Sequence, residues 1–269
     1  MVRELLKNAS ERLSGSETPL LDARVLLAKA MNKQNASMIF SEPTEEELSI
    51  FESFIKKRQQ GIPVAYILGE KEFMGLNFRL NSDTLIPRPD TECLVEKIIE
   101  KNTFSSPRIL DLCTGSGCIG ISLASFIKEA KCDLTDISES ALKKAEENAL
   151  LNKVNERTNV FKLDVLADDI KKGYDIIVSN PPYIESEVVP TLEVSLFEPS
   201  RALDGGEDGL DFYRVIVKKA YDALEEGGML ALEIGYNQGE SVKNLCADFQ
   251  VVDLYKDYGN NDRVIIAIK

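Results

Sequence analysis

The chain has 269 residues, 43% hydrophobic and 29% charged, which supplies apolar material for a sizeable core and argues against disorder. It contains no histidine, so imidazole acid–base catalysis and every His-containing metal site are excluded. The net charge of −13 is unevenly placed: residues 1–80 hold 11 Lys+Arg against 11 Asp+Glu, and residues 81–269 hold 21 against 34. Such an acidic segment repels a phosphate backbone and lacks the basic stripe of a nucleic-acid binder, so no direct nucleic-acid partner is expected.

Met1 to Lys7 lack the apolar run of a signal peptide, and no stretch approaches the roughly eighteen apolar residues of a membrane span. A cytoplasmic protein with no membrane partner is expected. The five cysteines, Cys93, Cys113, Cys118, Cys132 and Cys246, form no CxxC pair, and an odd number fits buried reduced thiols better than a disulfide framework.

Residues 1–62 read as a small amphipathic helical domain. Thr18-Pro19 offers an N-cap and a proline at the first helical position, with Leu20, Leu21, Leu26 and Leu27 as apolar surface up to about Met31. Thr44-x-x-Glu47 is a capping box, followed by Leu48, Phe51, Phe54 and Ile55 on one face and Lys56-Lys57-Arg58 at the C-terminal dipole. Residues 63–84 read as a β-hairpin linker, its strands carried by Ala65-Tyr66-Ile67-Leu68 and Asn77-Phe78-Arg79-Leu80 around Gly75.

Residues 85–269 alternate apolar strands with amphipathic helices. Strands are expected at Arg108–Leu112, Lys131–Thr135, Asn159–Leu163, Tyr174–Ser179 and Met229–Ile234, and helices up to about Glu129, from Ser138 to about Leu151 and from about Leu210 to Leu224. The pattern predicts an α/β fold with a parallel sheet covered on both faces. Gln250–Leu254 and Arg263–Ile268, separated by a polar segment, predict a terminal antiparallel hairpin.

Asp111-Leu112-Cys113-Thr114-Gly115-Ser116-Gly117 follows the first of these strands and opens a helix, so its glycines permit a tight turn and close backbone approach to a ligand. With Gly120 it also satisfies GxGxxG, which does not separate a dehydrogenase from a methyltransferase. A purely structural turn is the plain alternative. Asp136, at the end of the next strand, is placed to accept both hydrogen bonds of a ribose diol, or to cap the helix that follows. Asp164 is placed to approach an adenine amino group, or is a solvated loop carboxylate.

The strand Tyr174–Ser179 runs into Asn180-Pro181-Pro182-Tyr183. Ligands of open α/β sheets bind beyond the carboxyl ends of the strands, which sets this tetrapeptide beside the glycine loop. An amide or arylamine nitrogen is a poor nucleophile because its lone pair is delocalised. Its two N–H bonds suit the Asn180 side-chain oxygen and the Pro181 carbonyl, which would aim the nitrogen at a sulfonium methyl group while Tyr183 stacks on the flat acceptor. Orientation of this kind supplies about 7–11 kcal/mol, enough to dispense with a strong base.

At these residues the sequence resembles the PrmC/HemK family, the methyltransferases that modify the glutamine of the Gly-Gly-Gln motif in peptide chain release factors. The matching segments cover nearly the whole chain and include Ala65 to Gly69, Phe73 to Gly75, Leu85 to Glu92, Asp111 to Gly117 and Val178 to Ile184. Glu198-Pro199, Ala202 to Leu210 and Glu233-Ile234-Gly235 complete the match. The resemblance implies a seven-stranded Rossmann-like class I methyltransferase sheet, S-adenosyl-L-methionine as cofactor with S-adenosyl-L-homocysteine as product, and a release factor loop held between the domains. It further implies that Cys113, Thr114, Gly115, Ser116, Gly117, Asp136, Asp164, Val165 and Asn180 bind the cofactor. Asn180, Pro181, Pro182 and Tyr183 would bind the acceptor amide, with Asn180, Pro181 and Tyr183 as the catalytic set, no metal, and a monomeric enzyme. Cys113 and Gly120 stand where relatives often carry other small residues.

An adenine-N6 nucleic-acid methyltransferase is the nearest rival, since adenine presents the same chemical problem; it needs cationic and aromatic capture surfaces that the acidic segment does not provide. An NAD-dependent dehydrogenase leaves the tetrapeptide unexplained. A non-catalytic cofactor-binding adaptor in translation is a third reading, disfavoured by the presence of the tetrapeptide intact beside the loop.

Overall fold

The computed structural model describes residues 2–33 and 40–269. Contacts divide the chain into two units, Met1–Glu70 and Lys71–Lys269.

Helices α1 (Val2–Arg12), α2 (Pro19–Ala30), α3 (Glu45–Gln59) and the short α4 (Val64–Leu68) build the first unit. Their apolar faces meet around Leu6, Leu13, Leu26, Leu27, Phe51 and Ile55, all buried. The capping box at Thr44 is present: Glu47 N donates to Thr44 Oγ1 at 3.2 Å, and Thr44 N donates to the Glu47 carboxylate at 2.7 Å. Thr18 precedes α2 but does not cap it. Its hydroxyl donates to Asp22 (2.9 Å), which also accepts from Arg58 Nε (2.7 Å), so the buried carboxylate outcompetes the helix amides.

Ala65 to Leu68, expected as a strand, are helical in α4. Pro63 presets the entry and Gly69, at φ 70°, closes the turn in the left-handed region, which overrides the β-type composition. The hairpin begins only after it, with β1 (Glu70–Phe73) and β2 (Leu76–Arg79). Met74 and Gly75 both take positive φ at its tip, the geometry that matches strand twist in a two-residue turn. Phe73 and Phe78 meet edge-on at 6.1 Å within the core of the second unit.

A seven-stranded sheet organises the second unit: β3 (Arg108–Leu112), β4 (Lys131–Asp136), β5 (Thr158–Lys162), β6 (Tyr174–Ser179), β7 (Leu224–Glu233), β8 (Val251–Lys256) and β9 (Asp262–Ile268), in the order β5-β4-β3-β6-β7-β9-β8. Strands β3 to β7 run parallel; β9 is antiparallel to both β7 and β8, as the terminal hairpin requires. Successive strand residues point to opposite faces, so Ile109 enters one core and Leu110 the other. Helices α5 (Pro89–Lys101), α6 (Cys118–Phe126) and α7 (Glu139–Leu151) contribute to the first core, α8 (Asp211–Ala223) and α9 (Gly239–Leu245) to the second. The chain moves outward one way from β3 to β4 and β5, then returns to the centre at β6. The β3/β6 boundary is therefore the topological switch point, where a crevice opens beyond the carboxyl ends.

Candidate active site

Leu112 pairs with Ser179 at the last step of the β3/β6 register, so the glycine loop and the tetrapeptide leave the sheet side by side. Ser179 Oγ donates to Leu112 O at 2.8 Å and stitches the two exits together. Within the loop Cys113, Gly115 and Gly117 take positive φ, at 59°, 54° and 83°. For Cys113 this is an uncommon conformation, and it occurs at the crevice. Burial drives the Cys113 thiol far above its ordinary value, so it is no nucleophile; all five cysteines are free, and burial raises Cys118 and Cys246 to about 12.

Asp111 is completely buried; its Oδ2 accepts from Thr114 Oγ1 (2.5 Å) and Gly120 N (2.9 Å) and so closes the loop onto the start of α6. Burial pushes its carboxyl up to about 7, against the pull of those two donors. Asp111 Oδ1 and Ser116 Oγ are buried and lack partners. Polar oxygens held dry beside a backbone loop fit a ligand that carries its own donors, such as the ammonium of an amino-acid moiety. Buried Asn148 of α7 braces the loop: its Nδ2 donates to Ser116 O (2.9 Å) and Arg79 O (3.0 Å), and its Oδ1 accepts from Arg79 N (2.7 Å).

Asp136 does not cap α7, because Ser138 does so through its hydroxyl, which accepts from Ala141 N at 3.3 Å. Instead Asp136 Oδ2 accepts from Gly115 N and Oδ1 from Ser138 N, each at 2.9 Å. Desolvation raises its carboxyl, opposed by these backbone donors. Asp164 accepts from Leu166 N at 2.9 Å, and Val165 beside it is buried. Cys113, Gly115, Asp136, Asp164, Val165 and Asn180 all line a cavity of about 330 Å³, within the range of small-ligand sites.

Pro181 and Pro182 are buried, with Asn180 and Tyr183 half-buried beside them. Asn180 and Tyr183 line a second, smaller cavity of about 120 Å³ with Leu85, Arg88, Ala202 and Glu233. A third recess, about 40 Å³, joins Thr114 and Ser116 to Asn180. Asn180 is thus a wall common to all three. Its Nδ2 donates to Thr91 Oγ1 at 3.3 Å. Gly205 packs on the tetrapeptide so closely that a Cβ there would lie 2.7 Å from Tyr183 Cα and 2.9 Å from Pro182 O.

The second cavity uses residues to which sequence reasoning gave no role. Arg88 and the Ile86 amide (3.0 Å) both bind the buried carboxylate of Glu198, which pins the Ile86-Pro87-Arg88 segment to the loop after the tetrapeptide. Glu233 closes β7 directly after the apolar run Met229 to Leu232, and an acidic residue at the end of such a run is the signal available for it. Helix α5, which delivers Thr91, is absent from the elements expected from sequence, although Pro89 at its start, Asp90 and Glu92 in the first turn and the spacing of Leu94, Val95 and Ile98 are its signals.

Residues 89–259 match the model of the methyltransferase small domain, and residues 4–69 that of the PrmC N-terminal domain. Curated relatives include the release factor glutamine methyltransferase of Clostridium botulinum, 39% identical over 93% of this chain and 92% of the relative. That of Fusobacterium nucleatum is 42% identical over 95% and 75%. The chain belongs to the release factor glutamine methyltransferase family. It is a methyltransferase of the class I fold, with S-adenosylmethionine as its cofactor. Among solved structures, a methyltransferase from Pyrococcus furiosus superposes with a TM-score of 0.56 over 81% of this chain and 97% of its own, at 18% identity, a likeness of fold. Among the described residues no helix is long and apolar enough to cross a membrane, and no cluster of His, Cys, Asp and Glu suits a metal ion.

Proposed function

We propose that this enzyme transfers the methyl group of S-adenosylmethionine to the side-chain amide nitrogen of the glutamine in the Gly-Gly-Gln motif of peptide chain release factors. The observation that carries the reading is the position of Asn180, shared between the 330 Å³ cavity and the 120 Å³ pocket. One side chain bounds a nucleoside-sized space and a space for a small planar group, as transfer between two ligands requires.

When bound, the cofactor supplies an electrophilic sulfonium methyl. Thr114 to Gly117 would hold its amino-acid part, Asp136 its ribose, and Asp164 and Val165 its adenine end, with Cys113 on the wall of the same cavity. Because the Asn180 Nδ2 is engaged with Thr91, Oδ1 is left to accept one N–H of the acceptor amide, and the Pro181 carbonyl accepts the other. Pro181 and Pro182 hold these acceptors rigid, so little entropy is lost on binding. Tyr183 covers the flat face of the amide. Burial pushes its phenol well above the ordinary range, which keeps it neutral and unsuited to act as a base.

Residues 1–62, the larger part of the helical first unit, recognise the protein partner, and residues 63–84, which hold α4 and the hairpin, link them along the chain to the catalytic domain, residues 85–269. The enzyme acts as a monomer in the cytoplasm. The acidic surface favours a protein over a nucleic acid.

The test is transfer of labelled methyl from S-adenosylmethionine to a purified release factor, with duplex DNA in parallel. Label on the release factor that disappears when its acceptor Gln is changed to Ala supports the reading. Equal labelling of that variant, or comparable labelling of DNA, overturns it.

A further inference from the structure

Glu233 is a buried carboxyl on the wall of the 120 Å³ pocket, and its Oε2 has no hydrogen-bond partner. Its placement is a matter of register: Ser179 pairs with Leu232 in the parallel β6/β7 ladder, so Asn180 and Glu233 are the next residues on adjacent strands. The cations around it are engaged elsewhere: Arg88, on the wall of the same pocket, is paired with Glu198, and Arg263, which favours the charged carboxylate, is held by other partners. Arg263 donates to Asp257 (3.1 Å) and to Ile234 O (3.0 Å), and lies 3.7 Å from Asp90. The other groups facing Glu233 are Asp90 of α5, the neutral phenol of Tyr183 and the neutral thiol of Cys118. Tyr213 donates only to its backbone carbonyl, at 2.9 Å.

A side-chain amide has an oxygen face and an N–H face, and Asn180 supports the reaction only with its oxygen toward the acceptor. Thr91 fixes which face that is. Its hydroxyl accepts from Asn180 Nδ2, so its own proton must be donated elsewhere. Thr91 and the Asn180 amide both face the Glu233 carboxyl and favour its charged form, while burial pushes the carboxyl up to about 7.

We propose that Glu233 is a positioning residue: it takes the Thr91 proton and thereby locks the Asn180 amide with Oδ1 directed at the acceptor nitrogen. The inference rests on the reading of function above. A protonated Glu233 no longer needs the Thr91 proton, the relay loses its direction, and Asn180 is free to flip.

The experiment compares kcat, KM and their pH profiles for methylation of a release factor by wild type, Glu233→Gln, Thr91→Val and Thr91→Ser. Wild-type kcat falls on the acid side with a midpoint near neutrality. Glu233→Gln loses that acid limb and about a hundredfold in kcat, as expected for a misoriented group. KM and affinity for S-adenosylhomocysteine stay within about threefold. Thr91→Val shows the same kcat loss and Thr91→Ser restores it; this pair decides the matter should Glu233→Gln not fold. Thr91→Val with wild-type kcat, or Glu233→Gln with an unchanged acid limb, overturns the inference. Absence of labelling by wild type would instead overturn the reading of function.

Discussion

The amide N–H of Gly115 donates to Oδ2 of Asp136 over 2.9 Å, joining the glycine loop after β3 to the end of β4. One carboxylate therefore shapes the loop from outside while lining the larger cavity. Asp136→Ala removes the contact and the loop's anchor together. Loss of a charged hydrogen-bond partner costs about 1.5–3 kcal/mol. Titration calorimetry with S-adenosylhomocysteine should show affinity weaker by about 10- to 100-fold. Unchanged affinity would remove Asp136 from the cofactor site.

Glu198 holds Arg88 and the Ile86 amide from a nearly fully buried position. Glu198→Ala leaves a buried N–H without a partner and frees Arg88. A destabilisation of about 1–3 kcal/mol is expected in urea unfolding, with KM for the release factor raised because Arg88 lines the smaller pocket. A variant of wild-type stability and KM would show that the contact is incidental.

Gly205→Ala inserts a methyl group 2.7 Å from Tyr183 Cα, against backbone that has no rotamer with which to yield. The tetrapeptide must shift. Turnover should fall by about a hundredfold, the cost of misplacement on the ångström scale, while circular dichroism remains that of the wild type. Retained turnover would mean that the acceptor carbonyl tolerates displacement.

Stability should depend on pH in an unusual direction. Glu233 is raised from its ordinary value of 4.5 to about 7, chiefly by desolvation. Below pH 4.5 it is neutral in both states, and its contribution is fully present. Between 4.5 and about 7 the unfolded chain releases a proton that the fold retains, so this contribution is lost as pH rises. Glu233→Gln lacks the effect, so its stability relative to wild type should increase across this window by on the order of 3 kcal/mol. Denaturant titrations of both proteins at several pH values check this; a constant difference would show that Glu233 does not titrate there. Asp111, raised by burial in the same direction, is common to both proteins and cancels in the difference.

The sheet was legible because each strand is a short apolar run bounded by polar turns, and the glycine loop and tetrapeptide sit where such strands end. Ser138 was legible as the start of a helix because its hydroxyl has no rival acceptor. Thr18 was misread because Asp22, a turn away and held in place by Arg58, takes the proton of its hydroxyl. Ala65 to Leu68 were misread because their flanking Pro63 and Gly69 outweigh the preference of the residues between them. The smaller pocket was the least legible part. Thr91 and Glu233 come from separate elements far apart in sequence, and no local pattern announces that both meet Asn180; only the register of β6 against β7 and the path of α5 do so.

The close approach of Gly205 to Pro182 and Tyr183 decides which changes around the tetrapeptide can reach it. A fixed backbone contact separates the tetrapeptide from residues 185–204, the loop beyond it. Exchange of exposed side chains in that loop therefore leaves the backbone that aims the acceptor nitrogen where it is, whereas any added bulk at Gly205 reaches it directly.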